Sequence, residues 1–170
     1  NYNAPIIADI EGYIPGNNEE VLIAIGDIAV RKTMIAILLD KKAKIGSFVH
    51  HSVIVSKFPN WGKGNIILPF SIIENNAIIG DYNLLTSYSF ISHDCVVGNN
   101  NFFSTSGISG NVKIGNDNFF GIRSTVIPSI IIGNNNIIQA GMTVDKDIKD
   151  NTTVFYRYKE KIFVIGKHER

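Results

Sequence analysis

His93 and Asp94 are neighbours in "SFISHDCVVG" (89–98). An imidazole, whose ordinary pKa is about 6.5, can take up a proton near neutral pH. A carboxylate beside it can orient the ring and raise its basicity, which suits a general base worth about 10²–10⁴ in rate. The plainer alternative is a solvated His–Asp pair at a chain corner, because adjacent polar residues are common on surfaces. A few residues on, "FFSTSGISGN" (102–111) carries Gly107 and Gly110, whose backbone N–H groups could hold a carbonyl or thioester oxygen. The alternative there is a harmless deletion in an outward loop. Cys95, the single cysteine, alternates with Asp94 and reads as a small buried residue rather than a nucleophile. His50 and His51 read as structural residues at a strand start, and His168 as a solvated tail residue.

The element that must position His93 is legible from a rhythm. Ile67, Ile73, Ile79, Leu85, Ile91, Val97 and Phe103 recur every six residues. One step of five leads to Ile108, and the sixes resume through Ile114, Phe120, Val126, Ile132, Ile138 and Val144. A helix repeats its apolar face about every 3.6 residues and a plain strand every two, so neither alone fits. A six-residue repeat is one short strand plus a corner of a parallel β-helix, whose stacked coils bury one aliphatic column per face. "IIGDYN" (78–83), "VVGNNN" (96–101), "KIGNDN" (113–118) and "IIGNNN" (131–136) recur at spacings of 18, 17 and 18, so three hexads make one triangular coil. Gly80, Gly98, Gly115 and Gly133 then share one corner, as do Asn83, Asn101, Asn118 and Asn136, residue types that tolerate a left-handed backbone. An ordinary β-sandwich with Asn/Gly turns would not hold a hexad register with a single short step over about four coils.

Upstream, "VLIAI" (21–25) reads as a buried strand ending at Gly26, with Asp27 as the N-cap of a helix from Ile28 to about Asp40. Ile28, Met34, Ile35, Leu38 and Leu39 fall on one helical face. "SFVHHSVIV" (47–55) is strand-like again, and "FPNWGKGN" (58–65) has the composition of a connector. Strand–helix–strand without a G-x-G-x-x-G loop is a piece of a nucleotide-binding α/β layer. The predicted organisation is a partial, Rossmann-like α/β domain over residues 1–62, a mainly β parallel β-helix over 63–155, and a capping tail over 156–170.

At 170 residues the chain is one large domain or two small ones, and 45% hydrophobic against 18% charged residues marks it as globular. A net charge of +1 without a basic run gives no sign of a nucleic-acid partner. A lone cysteine excludes an internal disulfide framework and fits a reducing, cytoplasmic compartment. No apolar run reaches the roughly 18 residues of a membrane span. The chain begins at Asn1 rather than Met, so residues before it are expected.

The stretch from "SHDCVVG" through "GNVKIG" and "FFGIRST" to "QAGMTVDKDIKDNT", together with "VLIAIGDIAVRKTM" (21–34) and "FVHHSVIVS" (48–56), resembles the left-handed β-helix, hexapeptide-repeat acyltransferases. The likeness covers roughly residues 6–154 and is nearest to the branch that acetylates nucleotide-linked amino sugars or sialic acid. It implies a left-handed coil, a homotrimer, and acetyl-CoA as co-substrate in grooves between subunits, with no metal. His93 would be the general base and Asp94 its carboxylate partner. Gly110, Ile122 and Ala140 match positions that contact acetyl-CoA, and Phe102 stands where the family has a second histidine near the thioester. Asp9 and Gly26 match positions that contact the nucleotide sugar. The chain departs from the pattern at Phe102, at the five-residue step, at "YRYKEK" (156–161) in place of a terminal G-x-P-A-K, and in lacking the first strand and glycine-rich loop.

The expected function is N-acetylation of a nucleotide-linked amino-deoxy sugar for bacterial-type glycan synthesis; sialic acid O-acetylation and a non-catalytic β-helix scaffold are the alternatives. A β-helix zinc enzyme would need three histidines across a subunit boundary, and the coils carry only His93. Thr86, Thr105, Thr125 and Thr143 form none of the doublets that an ice-binding face requires.

Overall fold

A computed structural model describes residues 5–56 and 60–156. The expected capping tail, apart from Tyr156, lies outside them.

Two-residue strands follow one another around a triangular coil. The first coil holds β1 (Phe48–Val49), β2 (Ile54–Val55) and β3 (Asn60–Trp61), and the second β4 (Ile66–Ile67), β5 (Ile72–Ile73) and β6 (Ile78–Ile79). The third has β7 (Leu84–Leu85), β8 (Phe90–Ile91) and β9 (Val96–Val97), and the fourth β10 (Phe102–Phe103), β11 (Gly107–Ile108) and β12 (Lys113–Ile114). The fifth has β13 (Phe119–Phe120), β14 (Thr125–Val126) and β15 (Ile131–Ile132), followed by β16 (Ile137–Ile138), β17 (Thr143–Val144) and β18 (Thr153–Val154). Every pairing is parallel, and the strands stack into three sheets. Face 1 runs from β1 through β4, β7, β10, β13 and β16 to β18; face 2 from β2 to β17; face 3 from β3 to β15.

The hexad register is the core. From β5 onward the second residue of each coil strand turns inward and is buried, through Val144, while the first points out. That alternation is the period of two expected of a strand, cut to a single repeat by the corner that follows. Phe103 and Phe120 stack inside face 1 with ring centroids 4.7 Å apart.

The corners work differently from the expectation. Gly80, Gly98 and Gly115 have no left-handed backbone; the positive φ falls two residues later, at Tyr82, Asn100 and Asp117. Glycine is needed because the coils approach closely: a Cβ on Gly98 would stand 2.6 Å from the carbonyl oxygen of Gly115. The buried asparagines form a ladder, each Oδ1 accepting the next coil's backbone N–H, as from Asn101 to Asn83 (2.8 Å) and from Asn118 to Asn101 (2.9 Å). This ladder satisfies backbone groups that the sharp corner removes from the sheets.

The coil also begins earlier than residue 63. β1 pairs in register with β4, β2 with β5 and β3 with β6, so "SFVHHSVIV" and the expected connector at Asn60–Trp61 are rungs. The five-residue step is absorbed in the corner Ser104–Ser106, and Gly107 still aligns with Phe90 and Thr125.

The N-terminal segment does not form the expected Rossmann-like layer. Among its described residues there is one helix, α1 (Ile28–Asp40), and "VLIAI" makes a single parallel bridge, Val21 to Ile45, instead of a strand. A strand needs a continuous partner edge, and Val21 finds only the short stretch around Ile45. Asp27 caps α1 as expected, its carboxylate accepting the Val30 N–H at 2.9 Å. Ile35 and Leu38 are buried, but Leu39 is exposed and Arg31 takes its place in the interior. Ile23, Ile35, Leu38, Ala43 and Ile45 form a small second core, against which Tyr82 of the coil packs.

Candidate active site

His93 and Asp94 occupy the corner between β8 and β9, where face 2 turns into face 3. Asp94 has φ of 59°, and this left-handed turn brings two consecutive side chains to the same side of the chain. His93 Nδ1 lies 2.8 Å from Asp94 Oδ2. Both side chains are more than half exposed, at 61% and 52%, so a substrate could reach them. With Nδ1 committed to the carboxylate, Nε2 is the nitrogen left to exchange a proton.

The coils on either side hold the pair. On the preceding coil, Glu74 Oε2 accepts the His93 N–H (3.0 Å) and Asn76 Nδ2 donates to Asp94 Oδ1 (3.0 Å). The bond from His93, and after it the one from Asn76, hold the Asp94 carboxyl below the usual carboxylate range. On the following coil, Gly110 lies directly over the imidazole. Glu74 and Asn76 were not singled out from the sequence, although Asn76 sits one 18-residue coil before Asp94. Cys95 is fully buried, with Sγ donating to the Ser109 carbonyl (3.0 Å), and burial pushes its thiol up. Such a thiol is a poor nucleophile.

The other expected site residues spread around the prism. Gly110 shares the His93 corner. Ile122 and Ala140 lie together on the corner between faces 1 and 2, in successive coils joined by the Gly141 N–H to Ile122 carbonyl bond (2.8 Å). The Gly107 N–H donates to the Ser124 carbonyl (3.0 Å), so it is not free to meet an oxyanion as its position in the sequence suggested. Phe102 is on the outside of face 1, stacked on Phe119 with centroids 5.2 Å apart. Its ring lies under Gly26, where a Cβ would stand 3.3 Å from Phe102 Cε2. Asp9 turns back on its own loop, accepting the Gly12 N–H at 2.6 Å.

Gly26 leads into a cleft of about 800 Å³ between the start of α1 and face 1. Gly26, Ile28, Ala29 and Lys32 form one wall, Phe119 and Ile137 the other. The wall is pinned by Arg31, which is 1% exposed. Its Nε donates to Asn100 Oδ1 (2.7 Å) and its Nη1 to the Ile25 carbonyl (3.2 Å). Asn100 Nδ2 in turn donates to Asp117 Oδ1 (2.7 Å), and Lys32 pairs with Asp117 Oδ2 (2.7 Å). Burial pulls the Arg31 pKa down to about 10, against the attraction of Asp117. Among the described residues, no three His, Cys, Asp or Glu side chains are grouped to hold a metal ion, and no helix is long and apolar enough to cross a membrane.

No protein-family model matches the chain, and no curated protein matches it. Solved structures do. The acetyltransferase domain of PglB from Neisseria gonorrhoeae FA1090 superposes with a TM-score of 0.80 at 19% identity, over 85% of this chain and 71% of that one. PerB from Caulobacter crescentus, solved in complex with CoA and GDP-perosamine, gives 0.75 at 26% identity, over 79% and 65%. WeeI from Acinetobacter baumannii AYE gives 0.78 at 24%, over 82% and 68%. The chain spans 66% of the PglB domain as solved with acetyl coenzyme A, and 65% of PerB, just under two thirds of each. The PglB domain and the Caulobacter protein are acetyltransferases of the hexapeptide-repeat, left-handed β-helix kind, and this chain shares their fold.

Proposed function

We propose that the chain is an acetyl-CoA-dependent N-acetyltransferase acting on the amino group of a nucleotide-linked amino-deoxy sugar. The observation that carries the reading is the exposed His93–Asp94 pair, braced from the coil before and roofed by Gly110. It sits on a fold whose neighbour PerB binds CoA and GDP-perosamine.

In the proposed reaction the sugar amine attacks the thioester carbonyl carbon of acetyl-CoA. His93 Nε2 takes the proton that the amine loses, and Asp94 stabilises the imidazolium that results. The tetrahedral oxyanion is met by the Gly110 N–H. The C–S bond then breaks, an amide is left on the sugar, and the thiolate takes the proton from the His93 imidazolium and leaves as CoA. Gly110, Ile122 and Ala140 line the path of acetyl-CoA.

A homotrimer completes the site. His93 stands between faces 2 and 3, whereas the cleft under Gly26 lies on face 1 of the same chain. A neighbouring copy docked corner to face brings the two together, with Phe102 beside the thioester. The outward, exposed Ile72, Phe90, Ile78, Val96 and Ile131 supply apolar surface for such contacts. The cytoplasm, where acetyl-CoA and nucleotide sugars are held, is the compartment that fits.

The test is CoA release from acetyl-CoA with UDP-, dTDP- and GDP-linked 4-amino-4,6-dideoxy sugars, with free sialic acid alongside. Release with one nucleotide amino sugar supports the proposal. Release with sialic acid alone moves it to O-acetylation, and no release with any acceptor leaves the scaffold.

A further inference from the structure

Asn76 stands 18 residues before Asp94 on the same corner, with the same left-handed backbone, φ 59° at both. Its amide nitrogen meets Asp94 Oδ1, the oxygen that His93 does not use. A carboxylate only accepts hydrogen bonds, so the amide must present its nitrogen there. Asn111, the next residue up this corner, gives its amide to Ser129 Oγ (3.2 Å) instead. Among the described residues, His93 and Asn76 are therefore the side chains that donate to Asp94.

The geometry matters because the carboxylate is half exposed. A single bond to an exposed ring would leave it free to rotate, and an exposed charged pair is weakly held. Two donors on its two oxygens define one orientation. The backbone beneath is tied by the same stretch, through the His93 N–H to Glu74 and the Asp94 N–H to the Asn75 carbonyl (3.0 Å).

We infer that Asn76 is a positioning residue for the general base: it fixes the Asp94 carboxylate so that Oδ2 stays on His93 Nδ1. The ring is thereby kept as the Nδ1–H tautomer, with Nε2 unprotonated and ready to accept a proton. The inference rests on the reading of His93 as general base, but the tautomer is observable without any reaction.

The variant of choice is Asn76→Gly, because glycine adopts the left-handed backbone without strain and removes only the amide. The ¹⁵N shifts of the His93 ring, assigned by their loss in His93→Ala, report the tautomer of the neutral imidazole. The wild type should show the Nδ1–H form alone, and Asn76→Gly a mixture of both. In turnover, kcat should fall about tenfold while the KM for acetyl-CoA stays within about twofold. Retention of the single tautomer in Asn76→Gly overturns the inference. Asn76→Ala, which also removes the amide and adds no charge, gives the same readout should the glycine variant fail to fold. A wild type without transferase activity would remove the acetyltransferase reading while the ring shifts still decided the role of Asn76.

Discussion

Gly110 and His93 are packed so that no side chain fits between them: a Cβ on Gly110 would stand 2.6 Å from His93 Cε1 and 2.7 Å from Nε2. The backbone at Gly110 is not left-handed, so alanine is conformationally allowed there, and the three nearest atoms its Cβ would meet all belong to the ring. An exposed imidazole can swing away at little cost in stability, but it then leaves Asp94. Gly110→Ala should lower kcat by about 10–100-fold with an unfolding midpoint close to wild type. Thermal denaturation beside steady-state kinetics checks it, and unchanged kcat would mean that the ring orientation seen here is not the working one.

Arg31 fastens the N-terminal segment to the coil. Replacing it with alanine strands the Asn100 Oδ1 and Ile25 carbonyl acceptors in a buried place, at about 2–3 kcal/mol. Lysine cannot reproduce the two directed bonds, so Arg31→Lys should fail in the same direction. Limited proteolysis should cut either variant before residue 48 while the coil survives. The affinity for the nucleotide sugar should fall, because Gly26 and Lys32 lose their place over Phe119, while acetyl-CoA still binds. A wild-type digestion pattern would show that the helix is held by its apolar face alone.

Acid should loosen the C-terminal end of the coil. Asp150 Oδ1 accepts the Asn134 N–H at 2.7 Å, and this bond with that from the Asn134 side chain holds its carboxyl below the usual range. A depressed folded pKa means stabilisation that is fully present above the unfolded value of about 3.9 and is lost as pH falls through the folded one. Asp150→Asn keeps an acceptor oxygen but cannot titrate. Its unfolding midpoint should therefore depend less steeply on pH below about pH 4 than that of the wild type. Parallel pH profiles would count against a role for this carboxylate in holding the last coil.

The coil was readable because one inward residue per short strand leaves a six-residue trace, and Ile67 through Val144 obey it. The first coil obeys it too: stepping back in sixes from Ile67 gives Trp61, Val55 and Val49, all on rungs. It was missed because Pro59, Gly62 and Gly64 resemble a connector. His93 and Asp94 were visible as neighbours. Glu74 and Asn76 were not, since their relation to the pair exists only once the coil is closed. The helix register pointed to Leu39, and the charge of Arg31 hid it; its burial is tolerated because the facing corner supplies Asn100 and Asp117. The strand expected at 21–25 failed for a plain reason: a continuous apolar run is not enough without an edge to pair with.

The most direct test of the central claim is acetyl transfer by His93→Ala beside the wild type, with acetyl-CoA affinity and folding measured on the same samples. A general base here predicts that kcat drops by about 10²–10⁴ while acetyl-CoA binding and the unfolding midpoint are kept. Turnover of His93→Ala at the wild-type rate would contradict it, and would return the His93–Asp94 pair to an exposed corner of a scaffold.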